Sequence, residues 1–184
     1  MNNGLIAARY ATALLGFANQ SNSTVQVYAE AKGIVQSYFQ FPELRVALDN
    51  PVLALSEKRK TILLAAGGGV SKSFERFVDV LLENKREIHL LAVALKYIDL
   101  YRKENNIHSG KLVTATAVES GVEKRLLTMM QTATGGTVEI EKIVNPSLLG
   151  GFQLEVDFVR WDASLYGQLQ RIKNEYIEKN KTIL

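Results

Sequence analysis

At 184 residues, 47% hydrophobic and 22% charged, the chain has the length and composition of one large or two small folded domains, which excludes wholesale disorder and collagen-like repeats. It contains no cysteine, so disulfides, thiolate metal sites, iron–sulfur clusters and cysteine nucleophiles are all excluded. The net charge of +3 comes from residues 1–105, with 13 Lys+Arg against 10 Asp+Glu, while residues 106–184 balance at 9 against 9.

Residues 5–18 place Ile6, Tyr10, Ala13/Leu14 and Phe17 on one helical face, with Ala7, Ala11 and Ala18 beside it to let a neighbouring backbone approach closely. The polar cluster Asn19–Ser23 ends this helix. A second helix begins near Thr24, carries Tyr28, Ala31, Val35 and Tyr38/Phe39, and stops at Pro42. A short segment over 43–49 ends at Asn50-Pro51. A fourth helix runs over 56–66 to the Gly67-Gly68-Gly69 stop. A fifth, over 72–84, carries Phe74, Phe77, Val78, Leu81 and Leu82 at the i, i+3, i+4, i+7, i+8 spacing of a buried stripe. A sixth, over 87–104, has Leu91, Leu95, Ile98 and Tyr101/Arg102 as its stripe. Six helices joined by short loops make a compact bundle.

Residues 105–110, NNIHSG, form a linker, and the periodicity then changes. A Val/Thr-rich strand is predicted over 111–118, followed by a capping box at Ser120-x-x-Glu123 and a helix to Thr134, stopped by Gly135-Gly136. A strand covers 137–144, Asn145-Pro146 turns the chain, and 151–158 alternates with Phe152, Leu154, Val156 and Phe158 on one face. Asp162 or Ser164 caps a last helix to about residue 180, with Leu165, Leu169, Ile172 and Tyr176 as its stripe. The fold class is α+β: an all-helical domain over 1–105, then a small β-α-β-β-α domain over 106–184.

The chemical motifs are weak. A phosphate loop ending at Lys72-Ser73 needs glycines where Ala66 and Ser71 stand, so the glycine run reads as a helix stop. Gly150-Gly151 reads as a tight turn into a strand. Asp157 reads as an outward strand residue and Asp162 as a cap. His89 lies in an apolar helix and His108 in the linker, too far apart for an H-x-x-x-H zinc pair. Lys58-Arg59-Lys60 reads as a solvated face. No catalytic, cofactor or metal constellation emerges. The longest uncharged stretch, 10–29, is interrupted by Asn19–Thr24, so no membrane span is expected, and the N-terminus lacks the basic and apolar regions of a secretory signal. An adaptor that binds nucleic acid through the basic N-terminal half is the alternative class, with little support from so small a charge excess.

Four segments in register carry a family resemblance. Ala7-Ala8-Arg9-Tyr10-Ala11-Thr12-Ala13-Leu14, Asn50-Pro51 with Lys58 downstream, FERFVDVLLENKR over 74–86, and NPSLLGGFQL over 145–154 followed by Asp162-Ala163-Ser164-Leu165 together resemble the delta subunit of the F-type ATP synthase. The mitochondrial relative of that subunit is the oligomycin-sensitivity-conferring protein. Asn145 stands where the family usually has Asp. The resemblance implies a non-catalytic stator subunit without cofactors. Its helical domain would bind alpha-subunit N-terminal segments between the first and fifth helices, and its C-terminal domain the peripheral-stalk b subunits. It would contact no nucleic acid, and would reach the cytoplasmic side of the bacterial inner membrane only through the complex. Tyr10, Ala13 and Phe17 on the first helix, with Phe77 and Val80 on the fifth, are the partner-binding residues this implies; the same residues follow helical-face spacing.

Overall fold

The structure is a computed structural model that describes residues 3–116, 120–157 and 159–181. Residues 117–118 of the expected strand, the side chains of the Ser120/Glu123 capping box, and Phe158 lie outside the described residues. The chain divides into two compact units, Met1–Asn105 and Asn106–Leu184.

The first unit holds α1 (Asn3–Gln20), α2 (Thr24–Gln40), α3 (Glu43–Asp49), α4 (Leu55–Ala65), α5 (Lys72–Glu83) and α6 (Leu90–Glu104). α1 and α2 both pack extensively on α6. The residues α1 buries are Ala7, Ala11, Leu14 and Ala18, so the alanine row is the packing seam and Tyr10, Ala13 and Phe17 stay outside it. In α2 Ile34, rather than Val35, joins Val27, Tyr28 and Ala31 on the buried face, and Phe39 is exposed. In α5 the whole expected stripe is buried. α6 departs from expectation. A 3-10 turn, Glu87–His89, precedes it, and its buried face is Leu90, Val93, Ala94, Tyr97, Ile98 and Tyr101, while Leu95 is exposed. The turn shifts the helical phase, and stacking of Tyr101 on Tyr28, with ring centroids 4.3 Å apart, selects the face that meets α2.

The second unit holds β1 (Ile107–Thr114), α7 (Ser120–Thr134), β2 (Thr137–Val144), β3 (Phe152–Val156), β4 (Val159–Asp162) and α8 (Leu165–Lys181). The sheet order is β2-β1-β3-β4, with β1 parallel to β2 and the other pairs antiparallel. Leu112, Leu126, Met130, Val138, Leu154 and Val156 form the core. Gly110 makes room for it, because a Cβ there would stand 2.8 Å from the Met130 methyl.

Two sequence expectations are corrected here. Residues 107–110 belong to β1, paired with Thr137–Ile140, so the break between the units is shorter than the NNIHSG linker. The sheet also has a fourth strand. Asp157 is not on an outward strand face but sits in the turn into β4 at φ 51°, with its carboxylate 2.6 Å from Nδ1 of His108. The hairpin is too short to show an alternation of its own.

Candidate functional site

The apolar stripe of α1 is wider than its alanine seam, and what remains meets α5. Tyr10, Ala13, Leu14 and Phe17 form one wall of an open trough, and Arg76, Phe77 and Val80 the other, around about 230 Å³. The five residues singled out in the sequence, Tyr10, Ala13, Phe17, Phe77 and Val80, are therefore brought together; Leu14 and Arg76 were not foreseen as members. Tyr10 meets Phe77 edge-on at 6.5 Å between centroids, and Phe77 packs on Phe74 below it. Phe77 is buried and forms the floor, whereas Phe17 and Val80 are 40% and 41% exposed and Ala13 is open to solvent.

The walls are held in place locally. Ser21, Ser23 and Ser73 share hydrogen bonds of 2.8–2.9 Å that tie the end of α1 to the start of α5, so the two helices run in opposite directions. Ser71 caps α5 by accepting from the Phe74 amide. Its own amide and hydroxyl donate to the buried Glu30 carboxylate of α2, the hydroxyl at 2.8 Å. The positive end of α5 is thus already occupied by an internal anion. At the other end, Lys85 takes a left-handed φ of 53°, with its amide on the Leu82 carbonyl and the Arg86 amide on the Leu81 carbonyl. This is the paired bonding of a Schellman stop. It turns Arg86 back over the Tyr10 ring, 5.6 Å from the centroid.

The basic run is not a solvated face. Lys58 is buried and donates to Glu87 and to the Leu48 carbonyl, and Arg59 pairs with Asp79 and Glu75; only Lys60 is exposed and without an ion pair among the described residues. The sequence signal available was Lys58's place in the i, i+4 row with Ile62, on the buried face of α4.

In the second unit, α8 lays few residues on its own domain. Leu165, Leu169, Ile172 and Tyr176 recur at i, i+4, i+7, i+11, yet Ile172 is 64% and Tyr176 69% exposed. The residues expected to form a buried stripe instead make an open one. The helix start is rigid. Ser164 caps it by accepting from the Gly167 amide, and Asp162 accepts from the Ser164 hydroxyl at 2.6 Å and its amide at 2.9 Å. The Ser164 hydroxyl, then the Ser164 amide, outweigh desolvation and, with help from Gln153 and Arg160, hold the Asp162 carboxyl below the usual carboxylate range. Gly151, at φ 72°, brings the preceding turn against the Ala163 carbonyl, where a Cβ would collide. His89 sits in the 3-10 turn rather than in a helix. Among the described residues no group of three histidine or acidic side chains is placed to hold a metal ion, and no helix is long and apolar enough to cross a membrane.

Residues 6–176 match the family model described as ATP synthase delta (OSCP) subunit. The chain is 44% identical over 182 residues to the ATP synthase subunit delta of Phocaeicola vulgatus, covering 98% of each, and 35% identical over 186 residues to that of Bacteroides fragilis, covering 100% of each. It is 31% identical to the Flavobacterium johnsoniae subunit delta, over 92% of this chain and 95% of the relative. Among solved structures, a chain of the Toxoplasma gondii mitochondrial ATP synthase hexamer shares the fold, with a TM-score of 0.65 and 22% identity over 93% of this chain and 97% of that one.

Proposed function

The chain belongs to the ATP synthase delta (OSCP) subunit family, and from that premise we propose that the α1–α5 trough seats the N-terminal segment of an alpha subunit. The protein is a non-catalytic stator subunit that links the peripheral stalk to the catalytic head during proton-driven ATP synthesis. What supports the seat is the trough itself: an apolar stripe on one helix and an apolar floor on the next, left uncovered by the bundle. An amphipathic helix laid there buries its anchors on Phe77, Tyr10 and Phe17 and completes a surface that otherwise faces water. A stator must hold against torque without turnover, and burial of apolar anchors is static binding of that kind.

The open stripe of α8 is the surface we assign to the C-terminal ends of the b subunits. Its apolar residues lie on one side of a helix that contributes little to its own core. The subunit then sits at the cytoplasmic face of the bacterial membrane only through the complex. The nucleic-acid alternative loses its clearest candidate, since Lys58 and Arg59 are both engaged internally.

Co-purification with the catalytic head tests the reading. The full chain should be retained, a chain lacking residues 1–105 should not, and removal of α8 should leave head binding intact. Retention of the chain without residues 1–105 would place the head contact in the second unit and overturn the assignment.

A further inference from the structure

The trough has an apolar floor, but both of its ends are positive. Arg76 lines it from α5, and Arg86 stands over Tyr10 at the opposite end. Both are exposed, and neither forms an ion pair among the described residues. α1 adds Arg9 and carries no acidic residue anywhere along its length. Of the three carboxylates on α5, Glu75 and Asp79 are taken by Arg59, which leaves only Glu83 near the α5 wall.

Arg86 is placed, not trailing. The left-handed Lys85 before it fixes the corner from one side. Glu87 after it is buried on Lys58 and fixes the corner from the other. Arg76 lies on α5 itself, whereas Arg86 follows the stop of the helix and is turned back over Tyr10 on the α1 wall. An apolar trough with a fork-shaped cation at each end is complementary to an amphipathic helix that carries carboxylates beside its apolar stripe.

We propose that Arg76 and Arg86 are specificity residues of the trough, and that they select an alpha N-terminal segment bearing acidic residues on either side of its apolar anchors. This rests on the assignment of the trough to the alpha subunit. The apolar anchors supply most of the affinity, while the two cations set register and direction and speed encounter. A helix laid in reverse or shifted by a turn leaves its carboxylates away from both forks.

The test is calorimetric titration of the full chain with a synthetic alpha N-terminal peptide from the same genome, at low and high salt, beside a peptide with Asp and Glu replaced by Asn and Gln. The Arg76→Gln/Arg86→Gln double variant should lose about tenfold or more in affinity for the native peptide at low salt. It should also show a flatter salt dependence and bind the neutralised peptide as the unaltered chain does. Glu83→Gln should shift affinity the other way. Equal affinity and equal salt dependence for the double variant and the unaltered chain, with Ala13→Asp still abolishing binding, would overturn the role of the cations and leave the trough assignment standing. Tight binding of a native segment that has no carboxylates would do the same. No binding by the unaltered chain would overturn both.

Discussion

Nζ of Lys58 lies 2.6 Å from Oε1 of Glu87 and 2.7 Å from the Leu48 carbonyl oxygen, with both side chains almost wholly removed from solvent. One ammonium thus joins the end of α3, the first turns of α4 and the 3-10 turn that leads into α6. The contact also anchors the corner whose preceding residue, Arg86, covers the trough. Burial pushes the Glu87 carboxyl up, but the hydrogen bond from Lys58, a backbone hydrogen bond and the nearby lysine charges outweigh it and bring the carboxyl below its ordinary range.

Replacing Lys58 with Met should be among the most damaging single changes in the helical unit. It strands a buried carboxylate and a carbonyl, and breaking such pairs costs about 3–5 kcal/mol. Because the folded-state pKa of Glu87 is depressed, the unfolded chain takes up the proton first as pH falls. The pair's contribution is therefore present above the ordinary glutamate range, begins to fall there, and is lost as pH drops through the lower folded-state value. Urea melts should show a gap between the unaltered chain and Lys58→Met that is widest near pH 7; it starts to narrow above the ordinary glutamate range, because without the lysine burial alone pushes the Glu87 carboxyl up, and narrows further below about pH 4.3 as the unaltered chain loses the pair. A gap of constant size would mean that Glu87 carries no linked proton.

Cutting the chain between Asn105 and Asn106 should yield an N-terminal fragment that keeps its helical circular dichroism and binds the alpha peptide. The first unit has its own core, and no strand of the sheet starts before Ile107. A cut after Ser109 should differ sharply, because it removes three residues of β1 that pair with Thr137–Glu139. The second unit left by that cut should lose its near-ultraviolet signal. If both cuts leave the second unit equally folded, the start of β1 is dispensable.

Much of this was legible in the chain, and the misses share a physical cause. The helices, the order of strand, helix and strand through β1, α7 and β2, and the alternation of Phe152, Leu154 and Val156 follow from periodicity, which reports burial on one face; the parallel pairing of β1 with β2 does not. α5 read correctly because one face alone is apolar. α6 did not, because it is apolar on several faces and only packing against Tyr28 and the preceding turn decides which is inside. α1 has the same ambiguity, and there it is the basis of the trough: the alanine row packs and the aromatic row is left over. Lys58 was hidden because a lysine reads as solvated until its partner is known, and Glu87 is 29 residues away. β4 was hidden because four residues carry too little pattern.

Trp161 offers a readout confined to the second unit. It is the only tryptophan, lies on β4 opposite Leu154, and is 46% exposed. Titration of the full chain with the alpha peptide should leave its emission maximum and intensity nearly unchanged, since the trough belongs to the first unit. A large change would mean that the two units are energetically coupled or that the peptide binds elsewhere.

Replacing Ala13 with Asp separates binding from folding most directly. Ala13 faces solvent on the trough wall between Tyr10 and Phe17 and takes no part in the Ala7/Ala11/Ala18 seam. In the free subunit the new carboxylate stays hydrated, so the folding cost is about the 0.7 kcal/mol difference in helix propensity. Under a docked helix the same carboxylate is covered within an apolar wall, and burying an unpaired charge costs several kcal/mol even after relaxation. Arg76 and Arg86 do not rescue it, because both are engaged with the docked segment if the cations act as proposed. Each 1.4 kcal/mol is about tenfold in affinity, so a loss on the order of a hundredfold or more is expected. Calorimetric titration beside a urea melt reads the two effects independently. A melt that collapses while the surviving folded fraction binds with unchanged affinity would make Ala13 a packing residue and remove it from the trough.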